Sequence, residues 1–313
     1  MQGRSFGRLG GACLGAVLGL LAIASTGGQA DAQKVSNEGK IPDAVAQGMR
    51  FGAYDPHGNF KSVSADSVEH IFMPWEDIDL STLQRADLYA RERGRSLLVT
   101  VEPWSWSGTS ALSPSRLRSR ILSGKEDERI TDACQAIGRL ESPVTIRWGH
   151  EMDNRNTPYP WSGWAPADYI AAYRRMVDIC RPLAPKAKFM WSPNGEAGLE
   201  AYYPGDAYVD EIGLSVFGLQ RYDRDKFGHD RTFAEVLKPK YDRIARFDRP
   251  TCVAELGYSG DEPYNRRWAQ AAVAKDPAFP RLECIVYFND REPRSWPSPY
   301  GKPDWRVGKP ETN

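Results

Sequence analysis

Apolar positions gather into short runs rich in β-branched and aromatic residues: "MRFGAYDP" from 49, "HIFMPW" from 70, "SLLVTVEPW" from 96 and "VTIRWGHE" from 144. The series continues with "KFMWSPN" from 188, "EIGLSVFG" from 211, "CVAELGYS" from 252 and "CIVYFND" from 284. Each reads as a strand. The segments 81–95, 166–183, 232–247 and 263–276 between them carry apolar residues at helical spacing. Alternating strands and helices predict a parallel sheet, and eight strands predict its closure into a single-domain (β/α)₈ TIM barrel of the α/β class. No GxGxxG turn follows the first strand, as an open dinucleotide-binding sheet would show. The Pro-rich stretch 291–308 is expected to wrap the rim or the base of the barrel.

The N-terminus follows another pattern. Arg4 and Arg8 precede an apolar run from Cys13 to Ile23, and small residues end in "ADA" at 30–32. This is a signal-peptide layout with cleavage expected near Ala32, so residues 1–32 are set apart and 33–313 form the barrel. The apolar run is about half of what a membrane span needs, so no span is expected once the signal is removed. The protein is expected to be secreted or periplasmic, and a monomer.

Several strands begin as core and end in chemistry. "TIRWGHEMDN" at 145–154 passes from Ile146 to Arg147, His150 and Glu151. Similar grading brings Glu102, Trp104 and Trp106 to the third strand end, Trp191 and Asn194 to the fifth, Glu255 and Tyr258 to the seventh, and Phe288 and Asn289 to the eighth. Barrel strands deliver side chains to the active face at their C-terminal ends. Glu151 ends the fourth strand and Glu255 the seventh. Two carboxyl groups facing each other across a barrel mouth suit glycoside cleavage, one protonating the leaving oxygen while the other attacks the anomeric carbon or activates water.

Composition narrows the partners. Lys plus Arg and Asp plus Glu number 41 each, so no field draws nucleic acid. Ten Trp and fourteen Tyr supply flat faces with polar edges, suited to sugars. The four His, at 57, 70, 150 and 229, are scattered and no CxxC occurs, so neither a metal site nor a cofactor is indicated. Cys134, Cys180, Cys252 and Cys284 are compatible with disulfides or with buried thiols.

The segments "RWGHEM", "YPW", "WSPN", "YYPGDAYVDEIGL" and "AELG" resemble glycoside hydrolase family 26, whose clan of retaining barrels carries its catalytic glutamates on strands four and seven. The resemblance implies Glu151 as acid/base, Glu255 as nucleophile and His150 as the neighbour that orients the sugar. Trp161 and Trp164 look like sugar platforms, as does Trp104, whereas Trp191 reads better as core. Asn194, Tyr258 and Phe288 complete the binding set. Arg147 either pairs with a carboxylate or serves packing.

Mannanases of the family tend to carry "GHEMNG" and a strand-six tyrosine. Here Asp153 and Asn154 follow Met152, strand six offers Phe217, and Tyr287 and Phe288 stand where many relatives have tryptophan. The implied activity is therefore an endo-acting β-glycosidase on a polysaccharide, with β-mannan, mixed-linkage β-glucan, β-1,3-xylan and a self-made exopolysaccharide all open. A catalytically silent carbohydrate-binding barrel serving exopolysaccharide export or attachment is the alternative. An aldolase or metal-hydrolase barrel fails because no lysine ends a strand and no histidine cluster exists.

Overall fold

A computed structural model describes residues 36–42, 49–61, 67–75, 80–104 and 112–308. The leader expected over 1–32 lies outside them, as does Trp106. Eight parallel strands form a closed barrel: β1 (Arg50–Tyr54), β2 (Val68–Pro74), β3 (Ser96–Glu102), β4 (Val144–Trp148), β5 (Lys188–Trp191), β6 (Glu211–Leu219), β7 (Thr251–Ser259) and β8 (Leu282–Phe288). Closure is made by β1 against β8, in register from Arg50↔Cys284 to Tyr54↔Phe288.

The helices are α1 (Leu80–Arg91), α2 (Pro114–Leu122), α3 (Asp127–Gly138), α4 (Pro166–Leu183), α5 (Gln220–Phe227), α6 (Phe233–Ile244) and α7 (Glu262–Val273). Their starts follow from local chemistry. Ser113, Thr232 and Asp261 cap α2, α6 and α7, Thr232 forming a reciprocal capping box with Glu235. Pro166 opens α4, where its missing N–H costs nothing.

Side-chain alternation sorts each strand into an outer and an inner face. Outward residues such as Trp148 and Trp191 pack beneath the helices, Trp148 near Tyr169 and Tyr173, Trp191 near Tyr203 and Phe247. The inward residues form layers. Val68, Leu98, Met190, Cys252, Ala254, Cys284 and Val286 make an apolar cluster in the barrel. Above it, the polar layer of His70, Thr100, Arg147, Ser192 and Ser215 is fully buried. One step further along the strands come Tyr54, Phe72, Glu102, Phe217, Glu255 and Phe288, which ring the mouth.

A bulge in β7 sets the position of Glu255. Leu214 pairs with Val253 and Ser215 with Glu255, so Ala254 is the extra residue. Ala254 joins the inner cluster, and the bulge turns Glu255 inward as well, where strict alternation would have sent it out. The cysteine question is settled by two disulfides: Cys134–Cys180 ties α3 to α4, and Cys252–Cys284 ties β7 to β8 inside the barrel.

The Pro-rich stretch lies at the rim as a strap beside β6 to β8. Its Trp305 is fully buried, and the Trp305 carbonyl accepts from the Tyr287 hydroxyl at 2.6 Å. Lys40 Nζ donates to the carbonyls of Asp304 and Arg306 at 3.0 and 3.1 Å, fastening the strap from the N-terminal side.

Candidate active site

Arg147, on the inner face of β4, organises the centre of the mouth. Its Nη1 donates to Glu255 Oε1 at 2.7 Å and to Thr100 Oγ1 at 3.4 Å, while Nε donates to Ser192 Oγ at 2.9 Å. Thr100 in turn is 2.8 Å from His70 Nε2. The guanidinium has no exposed surface, so a short ion pair here is screened little. Even so, burial, aided by the charge of Glu151, pushes Glu255 up to about 7, with Arg147 pulling the other way.

After β4 the chain turns through Gly149 and Glu151, both in the left-handed region at φ 54° and 55°. Glycine takes this conformation freely; a glutamate holds it at a cost of about 1–3 kcal/mol. Two contacts fix the turn: Glu151 N donates to Ser192 O at 2.8 Å, and Trp161 Nε1 donates to His150 O at 2.6 Å. The strain therefore falls on the residue whose charge bears on Glu255.

His150 is fully buried and held well below the ordinary imidazole range, first by burial and then by Arg147. It is neutral at neutral pH. Among the described residues neither ring nitrogen has a hydrogen-bond partner, and Glu102 Oε1 stands 3.9 Å away, outside bonding reach.

Aromatic rings close the mouth on two sides. Tyr54 stacks on Phe288 with centroids 5.2 Å apart, and Phe72 and Phe217 meet Phe288 edge-on at 6.0 and 6.5 Å. Opposite them, Tyr159 lies flat on Trp161 at 4.8 Å and 7° and stands 4.6 Å from His150. The charges of Glu151, Glu255 and Glu102 all bear on the Tyr159 hydroxyl, which burial above all holds well above its usual range. Trp104 is half-buried, its Nε1 donating to Glu102 at 3.0 Å and its ring carrying the Arg294 guanidinium at 5.7 Å.

Among the residues expected from sequence, Glu151, Glu255, His150, Arg147, Trp104 and Phe288 share this mouth. Asn194 stands behind it, where Lys240 Nζ donates to its Oδ1 at 3.1 Å and to its carbonyl at 2.7 Å. Three expectations need correction. Tyr258 points out of the barrel: it is fully buried against Trp268 and Tyr287, and its hydroxyl donates to Lys40 O at 2.6 Å. It lies three residues past Glu255, an odd step that sends it to the opposite face. Trp161 has no exposed surface and Trp164 only 4 %, so neither offers a face to a sugar. Trp161 instead supports the partly exposed ring of Tyr159, which lies flat on it.

Sequence reasoning missed Tyr159, Tyr54, Phe72, Lys240 and Glu292. Tyr159 was within reach, standing two residues before Trp161 in the same "YPW". Parity was the signal for Tyr54 and Phe72, since each lies an even step from inward-facing positions of its strand. Among the described residues no group of His, Cys, Asp and Glu could hold a metal ion.

Comparison with known proteins bears on this geometry. Residues 114–246 match the sequence profile of glycosyl hydrolase family 26. A β-1,3-xylanase from an Alcaligenes species is 28% identical over 113 residues, covering 34% of this chain and 23% of that protein. The β-1,3-xylanase TXYA of a Vibrio species is 27% identical over 149 residues, 45% of this chain and 31% of that protein. The matches thus span a quarter to a third of those relatives. Among solved structures, a double mutant of the Cellulomonas fimi endo-β-1,4-mannanase superposes with a TM-score of 0.61 at 17% identity, covering 77% of this chain and 65% of that one. The matched segment carries β4 with Arg147, His150 and Glu151, so over that stretch the chain is similar to glycosyl hydrolase family 26, and the solved mannanase structure shares its barrel fold.

Proposed function

We propose that the protein is an endo-acting, retaining β-glycanase in which Glu255 is the nucleophile and Glu151 the acid/base. The observation that carries this reading is the contact of Arg147 with Glu255 in a buried mouth that Glu151 also enters. Arg147 touches Glu255 and opposes the rise that burial and Glu151 impose on it, so the cation favours the carboxylate form that a nucleophile needs. That is the state in which the reaction starts.

Glu255 then attacks the anomeric carbon while Glu151 gives its proton to the leaving oxygen, and the glycosyl-enzyme ester forms. Glu151, now a carboxylate, takes a proton from water, which attacks the ester from the same face and restores both groups. Neutral His150, whose ring nitrogens have no partner among the described residues, offers a sugar hydroxyl both a donor and an acceptor. The flat ring of Tyr159 and the Tyr54–Phe288 stack supply the apolar faces that a sugar covers.

The curated relatives are named β-1,3-xylanases, which makes β-1,3-xylan the first substrate to test. Initial release of reducing sugar is to be measured on β-1,3-xylan, β-mannan and lichenan with the wild type and with Glu151→Ala and Glu255→Ala. Turnover of at least one polymer, lost in both variants, is expected. Inactivity of the folded wild type on all three, with retained binding, would favour the carbohydrate-binding barrel instead. Export to an oxidising compartment belongs to this reading, because disulfides such as these two form and persist in oxidising surroundings and are rare in reducing ones.

A further inference from the structure

The strap brings a further carboxylate, beyond Glu102, Glu151 and Glu255, to the mouth. Glu292 is fixed at its backbone by a hydrogen bond from its N–H to Pro303 O at 2.9 Å. Its carboxylate accepts from Trp305 Nε1 at 3.3 Å, and Trp296 is a second donor. Trp305 is part of the wall of the mouth: its ring lies 5.1 Å from Phe217. A Cβ on Gly257, two residues past Glu255, would meet Phe217 at 2.8 Å and Trp305 at 2.9 Å. Glycine there lets the wall close directly beside the nucleophile. Because β8 stands opposite β4 in an eight-strand barrel, Glu292 approaches the reacting sugar from the side facing Glu151.

The environment of Glu292 is unusual for a structural carboxylate. Among the described residues no lysine or arginine forms an ion pair with it. Burial, above all, pushes it up to about 7, and Glu151 adds to the rise. Its charge also bears on Glu255. Such a group costs folding free energy. Two indole donors occupy two of about four acceptor sites on a carboxylate, leaving the remainder to a ligand. Hydroxyl-rich sugars present the matching donors.

We propose that Glu292 is a substrate-binding, specificity-determining residue that accepts hydrogen bonds from ring hydroxyls of the sugar attacked by Glu255. The assignment rests on the reading of Glu151 and Glu255 as the catalytic pair. It explains why the strap is anchored so thoroughly, through Tyr287, Lys40 and Asn289, whose Oδ1 accepts from Val307 N at 2.9 Å. A subsite residue on a loop needs a rigid support.

The test compares Glu292→Gln and Glu292→Ala with the wild type on whichever of β-1,3-xylan, β-mannan and lichenan the wild type cleaves fastest, together with thermal melting at pH 7.5. Gln keeps an acceptor oxygen and the indole contacts; Ala keeps neither. A graded loss is expected, kcat/KM falling several-fold in Gln and about 10- to 100-fold in Ala, with melting temperatures no lower than that of the wild type. Activity of the Ala variant within twofold of wild type would overturn the proposal. So would equal losses in both variants that track a lowered melting temperature. Failure of the catalytic reading looks different, because the wild type itself would then release no sugar.

Discussion

Replacing Arg147 by Met tests whether the guanidinium holds charge on Glu255 or merely fills the barrel. Met keeps most of the length and volume and removes both the charge and the donors. At 2.7 Å and an effective dielectric of about 20, the gross attraction between Arg147 and Glu255 is about 6 kcal/mol. Desolvation of the guanidinium offsets most of it, and a hydrogen bond to a charged group contributes a net 1.5–3 kcal/mol or so. With 1.36 kcal/mol to a pKa unit, the loss moves Glu255 up by about one to two units. Burial and Glu151 hold it at about 7 even with Arg147 in place. The acidic limb of kcat/KM, which follows ionisation of the nucleophile in the free enzyme, should move up by the same amount. Rates at pH 6 should then drop about 10- to 100-fold more than rates at pH 9. Stability should follow, with little change near pH 5, where Glu255 is protonated, and a lower melting temperature in alkali. Initial rates from pH 4.5 to 9.5 give the profile. A uniformly lowered rate with the limb unmoved would refute the reasoning and reduce Arg147 to a packing residue.

Glu255→Gln should be more stable than the wild type at pH 7.5 and nearly equal to it at pH 4.5. An acid raised from its ordinary value to about 7 binds its proton more tightly when folded, so its penalty is absent below the unfolded pKa, grows as pH rises and is complete above 7. The size is of order 3 kcal/mol, several degrees of melting temperature in a barrel of this size, and parallel melts at the two pH values check it. Tyr159→Ala should raise KM about 3- to 10-fold by removing the ring that lies on Trp161, whereas Tyr159→Phe should keep KM near wild type. Equal KM values in all three forms would show that the ring carries no sugar.

The barrel was legible because eight β-branched runs alternate with amphipathic segments, and each run overlaps one of the eight strands. Helices α2 and α3 were less visible: α2 buries only Leu117 and Ile121, too few for a clear stripe. The carboxylate pair was legible because both residues follow apolar runs, although the means differ. Glu255 reaches the mouth through a bulge at Ala254 and Glu151 through a left-handed turn, and neither device can be read from alternation. Tyr258 shows the converse: it lies near a strand end yet faces away from the mouth. Trp161 shows a third kind: the pattern marks an aromatic cluster, but only packing decides that Tyr159 keeps some exposed surface while Trp161 keeps none. Glu292 lay beyond any local pattern, since its place depends on how the strap folds back through Trp305.

Azide tests the central claim, the division of roles between Glu151 and Glu255, most directly. Each Glu→Ala variant is incubated with an aryl β-glycoside carrying a good leaving group, with added sodium azide, and the product anomer is identified by proton NMR. With Glu151 replaced, the ester on Glu255 still forms and azide attacks it without a general base, so a β-glycosyl azide and restored turnover are expected. With Glu255 replaced, azide enters the vacated space and attacks the glycoside from that face, giving the α-azide. The same anomer from both variants, or polysaccharide hydrolysis undiminished in either, would contradict the account.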